Sequence, residues 1–140
     1  MKELKIVIAV PTAGLVRMGF AYSLAGLIAR VAARGIATRP ECSVDMSLDV
    51  NESSVIHTNR ELLVRRAIDN GKTHLMFLDD DMVFEPQVLD ILAGRRQPVV
   101  ACNYAIKTDP VKDFVAVSLA GKRIPTEADS TGLAPIAYAG

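Results

Sequence analysis

Residues 73–81 read Thr-His-Leu-Met-Phe-Leu-Asp-Asp-Asp. An unbroken apolar run, Leu75 to Leu78, ends abruptly in three carboxylates. A strand that is apolar on both faces belongs in the middle of a sheet covered by helices. In open α/β sheets, ligands bind beyond the carboxyl ends of the strands, which is where these carboxylates fall. This one stretch predicts both a fold class and the place where chemistry is to be sought.

Working outward, Leu4 to Val10 is a second buried strand, stopped by Pro11 and followed by the loop Pro11-Thr12-Ala13-Gly14. Apolar residues at Phe20, Leu24, Leu27, Ile28 and Val31 predict a helix over about 18–34, with Gly35 as its stop. A weaker, more polar strand over about 36–46 suits a sheet edge. A second helix is expected over about 59–70, with Glu61 and Arg65 four apart on its outer face. After the acidic triplet, Pro86 suits the first turn of a short helix ending near Gly94, and Val99 to Cys102 reads as another buried strand. Strand and helix alternate throughout, the pattern of a doubly wound, mostly parallel α/β sheet flanked by helices. Beyond it, Asp113–Leu119 and Leu133–Ala139 are expected strands with no helix between them. Residues 1–140 are expected to be a single domain, with 1–107 as its core. The abrupt ending after an apolar run suits a fold incomplete on its C-terminal side, and equally a short final edge strand. An apolar edge near Pro135–Gly140 would then invite a homo-oligomer.

Composition narrows the function classes. The 140 residues are half hydrophobic, and 16 basic residues balance 16 acidic ones. A chain without basic excess or a basic stripe is not expected to bind nucleic acid. No stretch reaches the ~18 apolar residues of a membrane span, and the opening MKELKIVIAVPTAG reads as a folded strand and loop rather than an export signal. A cytoplasmic location is the expectation. The two cysteines, Cys42 and Cys102, are too few for a disulfide scaffold and have no metal-site spacing. Both are expected to be structural thiols, with Cys102 buried in its strand.

The triplet carries the strongest chemical signal. If the chain stays extended, Asp79 and Asp81 share a face and Asp80 points away. Convergent carboxylates need compensating positive charge, and hard oxygen ligands suit Mn²⁺ or Mg²⁺, with a substrate phosphate completing the shell. The plainer alternative is a solvated acidic turn with Asp79 as a cap. The 11–14 loop reads equally as a structural turn or as a nucleotide loop with Thr12 supplying a hydroxyl; it is neither a GxGxxG fingerprint nor a P-loop. Arg60 is placed to face a diphosphate, or is a surface arginine paired locally. Lys107 is a further candidate phosphate contact, and Tyr104 a candidate pocket wall. His57 and His74 have no partner spacing and read as structural.

The order of KIVIAVPTAG, RELLVRRAIDNGKTHLMFLDDDMVFEP and VVACNYAIK resembles the nucleotide-binding half of GT-A-type glycosyltransferases, particularly the small bacterial and phage-encoded group. The resemblance spans about residues 4–107. It implies a GT-A, Rossmann-like sheet, with Pro11 and Thr12 lining the nucleotide site and Arg60 beside the donor phosphates. It further implies that Asp79 contacts the nucleoside or supports the ion, and that Asp81 ligates Mn²⁺ or Mg²⁺. Asn103, Tyr104 and Lys107 fall where the family begins its sugar and acceptor surface. The implied activity is metal-dependent transfer of a sugar from a UDP- or GDP-linked donor to an unknown acceptor. Two departures stand against it. Glu61 occupies a position where many members carry Asn, and the acceptor half is largely missing, so no catalytic residue is assigned. A nucleotide-binding or structural remnant without turnover is the main alternative. A HAD-type phosphotransferase fits poorly, because Met82-Val83 follows the triplet where Thr or Ser is needed.

Overall fold

The computed structural model describes residues 2–104, 116–120, 122 and 136–139. Two units make up the chain, Met1–Arg96 and Gln97–Gly140. In the first, β1 (Lys2–Thr12), α1 (Met18–Arg34), β2 (Cys42–Glu52), α2 (Ile56–Asp69), β3 (His74–Phe77) and α3 (Val88–Gly94) follow one another. The strands form a parallel sheet in the order β2-β1-β3. The chain crosses to one side of β1 through α1 and back to the other through α2. Crossovers of one hand in opposite directions set the two helices on opposite faces.

Side-chain alternation along β1 sorts the core accordingly. Leu4, Ile6, Ile8 and Val10 cluster with Phe20, Leu27 and Val31 of α1, with Ile36 and Leu78, and with Leu89 of α3. Val7 and Ala9 point to the opposite face, and both are buried, as are Leu63 and Ala67 of α2. The expected Met18–Arg34 helix is present, and Gly35 closes it by donating its N–H to the Val31 carbonyl at 2.8 Å.

Several boundaries differ from those the sequence predicts, each for a local reason. β1 continues through Pro11 and Thr12 instead of stopping at Val10. Odd residues of β1 turn their backbone groups toward β3: the Ala9 carbonyl accepts Leu78 N–H at 3.0 Å. Pro11 lies past the end of that pairing, so its missing N–H costs no ladder bond. β2 starts at Cys42, not Ile36, because residues 36–42 form turns closed by Arg39 N–H to Ile36 O and Cys42 N–H to Arg39 O. Its place at a sheet edge is as expected. α2 begins at Ile56, nearly one turn before Asn59. β3, expected in the middle of the sheet, pairs only with β1 among the described residues, and its Phe77 is 38% exposed.

In the second unit the expected strand at Val99–Cys102 is absent. The segment is irregular, Val99 is 89% exposed, and Cys102 is exposed rather than buried. Arg96 with φ +52° and then Pro98 break the approach to it. A β-branched run forms a strand only where pairing and burial reward it. β4 (Ala116–Ser118) and β5 (Ile136–Ala139) pair antiparallel, with a register shift at Val117/Ser118, inside the two spans expected to be extended. Both cysteines are free thiols. Cys102 is the more accessible of the two, but partial burial pushes its thiol pKa up, so its labelling by a thiol reagent is expected to rise steeply at alkaline pH, as peptide mapping after brief labelling at about pH 7 and about pH 9 would show. Among the described residues, no helix is long and apolar enough to cross a membrane.

His74 opens β3 with its Nδ1 2.8 Å from the Thr73 hydroxyl. Burial first, then the nearby Arg39 and Lys2 charges, push its pKa below the ordinary 6.5. The unfolded chain thus binds the proton more tightly than the folded one, so this contribution to stability is complete above about pH 6.5 and is lost as pH falls through the lowered folded value. Urea unfolding at pH 8 and pH 5 should show an acid loss that is smaller in His74→Gln.

Candidate functional site

The loop bearing the triplet is seated on α1. Phe84 packs edge-on against Phe20 with ring centroids 6.2 Å apart, and Phe84 N–H donates to the Ser23 hydroxyl at 3.1 Å. At Gly19 the loop approaches so closely that a Cβ would lie 2.9 Å from Val83 Cγ2, which accounts for a helix-weakening residue in that turn. Arg17 N–H donates to the Asp80 carbonyl at 3.1 Å. One end of α1 thereby connects the segment after β1 to the segment after β3.

The triplet itself turns. Met82 N–H bonds to the Asp79 carbonyl at 3.1 Å and residues 80–81 form the bend. The alternation that would send Asp79 and Asp81 to one face needs an extended chain, so it holds from Leu75 to Asp79 and stops there. Asp79 continues the face of Leu75 and Phe77, the α2 side of the sheet.

On that side Asp79 meets Arg60. Arg60 Nη2 donates to Asp79 Oδ1 at 2.7 Å, and the guanidinium lies over the Phe77 ring, 6.0 Å from its centroid. Both side chains of the pair are partly open, at 42% and 38% exposure. Arg60 Nε is buried and has no hydrogen-bond partner among the described residues. The guanidinium fork is thus held at one tine.

Thr12, expected in a loop that reads equally as a structural turn or a nucleotide loop, ends β1 and is buried, as is Pro11. Its hydroxyl accepts Gly14 N–H at 3.1 Å, and its carbonyl accepts Ser53 N–H at 2.9 Å. Gly14 has φ +110°, a conformation that L side chains rarely adopt, so any side chain there is strained, while the nearest neighbour, the exposed Glu52 carboxylate, can move aside. Gly14→Ala is expected to cost about 1–2 kcal/mol, measured as a shift of the urea midpoint at constant slope.

Asn59 was not among the residues singled out from sequence. It is 1% exposed, and its Nδ2 donates to the Thr12 carbonyl at 3.3 Å and the Asn51 carbonyl at 2.8 Å. It ties the carboxyl ends of β1 and β2 to the first turns of α2, one residue before Arg60. Its Oδ1 is buried without a hydrogen-bond partner among the described residues.

The first unit therefore brings together Thr12, Asn59, Arg60 and Asp79 around the carboxyl ends of its strands. Asp81 follows in the turn and is already engaged. Asn103 and Tyr104 are half-buried in the irregular start of the second unit, and Lys107 lies outside the described residues. No group of three or more His, Cys, Asp or Glu side chains is arranged to hold a metal among the described residues, and one carboxylate of the expected pair, Asp79, is bonded to Arg60. A cleft of about 400 Å³ on the α2 side is lined by Ser47, Asp49, Arg66, Asn70 and Lys72 among others. Its cations are paired already, Arg66 with Asp49 at 3.2 Å and Lys72 with Asp45 at 3.4 Å. What the chain establishes is a small α/β unit with a parallel sheet flanked by helices, of generic Rossmann-like form. No family model matches the chain, and no curated protein or solved structure matches it.

Proposed function

We propose that the first unit is a nucleotide-diphosphate-binding domain, with the ligand beyond the carboxyl ends of β1 and β3 and no turnover assigned to it. The observation that carries this is Arg60, a partly open guanidinium at the mouth of the sheet with its hydrogen-bonding fork half used. Guanidinium groups recognise phosphate through paired N–H donors, and the carboxyl edge of an α/β sheet is where such ligands bind. The resemblance of the flanking motifs to GT-A glycosyltransferases supports UDP or GDP as the ligand class.

A second reading, metal-dependent transfer from a nucleotide diphosphate sugar, is favoured by the neighbouring carboxylates Asp79 and Asp81. In that case Mn²⁺ or Mg²⁺ would supply charge neutralisation at the departing diphosphate. Among the described residues no group of three or more His, Cys, Asp or Glu side chains is arranged to hold a metal, and Asp79 would have to leave Arg60 to take part. Calorimetric titration of UDP and GDP, with and without Mn²⁺, separates the two when run beside an assay of UDP- and GDP-sugar hydrolysis. Nucleotide binding without donor cleavage is the expected result. Donor cleavage would favour the second reading, and no binding of either nucleotide by folded protein would remove both.

A further inference from the structure

The geometry points to Asp79 as a built-in stand-in for the ligand's phosphate: it pairs with Arg60 and is exchanged for a diphosphate oxygen on binding. This rests on the proposed nucleotide reading and specifies how its charge is handled.

Three features make Arg60 an exchangeable donor rather than a fixed structural one. Its contact with Asp79 is a single bond, Nη2 to Oδ1 at 2.7 Å, where a carboxylate could accept two parallel bonds from the fork. The adjacent Nε–H is left unsatisfied in a buried position, a condition that disfavours the present pairing. Both partners are partly open to solvent, and an ion pair so placed contributes little and is easily replaced. Meanwhile the cation keeps its seat over the Phe77 ring, an attraction that does not depend on which anion it holds. A phosphate with several oxygens and a higher charge can take two tines of the fork at once, where Asp79 takes one.

Arg60 would then offset part of the diphosphate's charge directly, and binding would not require a divalent ion. Asp79 would be a competitor for Arg60, whereas in a metal-centred site it is a ligand. The two roles predict opposite signs for the same substitution.

The test is calorimetric titration of the full chain with inorganic pyrophosphate and with UDP, in EDTA and in Mn²⁺, for wild type, Asp79→Asn, Arg60→Ala and Arg60→Lys. Each variant is first shown to unfold at a normal temperature. Exchange predicts that wild type binds in EDTA and that Asp79→Asn binds about two- to fivefold more tightly, the ceiling an open ion pair sets. Arg60→Ala should lose at least about tenfold, as expected for a charge-assisted phosphate contact. Arg60→Lys should fall between, keeping the charge without the fork. Wild-type binding that EDTA abolishes and Asp79→Asn weakens would leave the nucleotide reading standing and overturn the exchange. Wild-type binding unaffected by Arg60→Ala would do the same. No binding of either probe by wild type and by Asp79→Asn would overturn both.

Discussion

Asp90→Ala is expected to lower the free energy of unfolding by about 3 kcal/mol. Asp90 is 7% exposed and bonds to three residues on two other elements. Its Oδ2 accepts Arg30 Nε of α1 at 2.6 Å, and its Oδ1 accepts the Ala37 N–H at 2.8 Å. Its backbone carbonyl accepts the Thr38 hydroxyl at 2.7 Å. The carboxylate thus fastens α3 to α1 and to the turn leading into β2. Truncation leaves a partly buried guanidinium and an amide without their acceptor, which costs more than the bonds were worth. Asp90→Asn keeps an acceptor for Ala37 but not the charge, and should lose about half as much. Urea unfolding of the three proteins checks the order. A loss below about 0.5 kcal/mol in Asp90→Ala would show that the brace is not formed.

Phe20→Ala is the second large effect, at about 3–4 kcal/mol. Phe20 is 2% exposed and fills the space between the sheet and the loop after β3, meeting Phe84 edge to face. Its loss leaves a cavity under that loop and removes an aromatic pair. Because the same loop begins with Asp79, local order at the candidate site should fall with global stability. Amide exchange of residues 79–84 in Phe20→Ala should accelerate more than exchange in β2, a pattern that a uniformly destabilised core would not give.

How much of this was legible in sequence depended on how local the cause was. The period of α1, its stop at Gly35 and the apolar run of β1 were readable because each is written in consecutive residues. So was the Glu61–Arg65 pair, found at 2.6 Å one turn apart. Asp90 was not readable: it stands on a short helix with nothing local to mark it, and its partners lie 60 and 53 residues away. Asn59 was hidden differently. With the helix expected to begin there, an asparagine reads as an ordinary boundary residue. Only the earlier start at Ile56 turns it inward to the strand ends.

The strand expected at Val99–Cys102 shows the opposite error. Its β-branched residues state a preference, but a preference of that kind is realised only against a partner strand. At the candidate site, the position of the triplet beyond β3 was readable, whereas its turn at residues 80–81 was not. The sequence named Arg60 and Asp79 separately, for a phosphate and for an ion or nucleoside. Their mutual bond, 19 residues apart in the chain, is a tertiary fact.

The measurement that tests the account most directly is a ¹H–¹⁵N spectrum of the assigned chain titrated with UDP in EDTA. A diphosphate bound beyond β1 and β3 should shift the amides of Thr12, Ala13, Gly14, Asn59, Arg60 and Asp79, and the Arg60 guanidinium resonances should move as the group changes its anion. Amides at the opposite end of the sheet, near Lys5 and Thr73, should stay in place. Saturable shifts confined to this cluster are the predicted result; no shifts, or shifts centred on the cleft between Asp49 and Lys72, would contradict it.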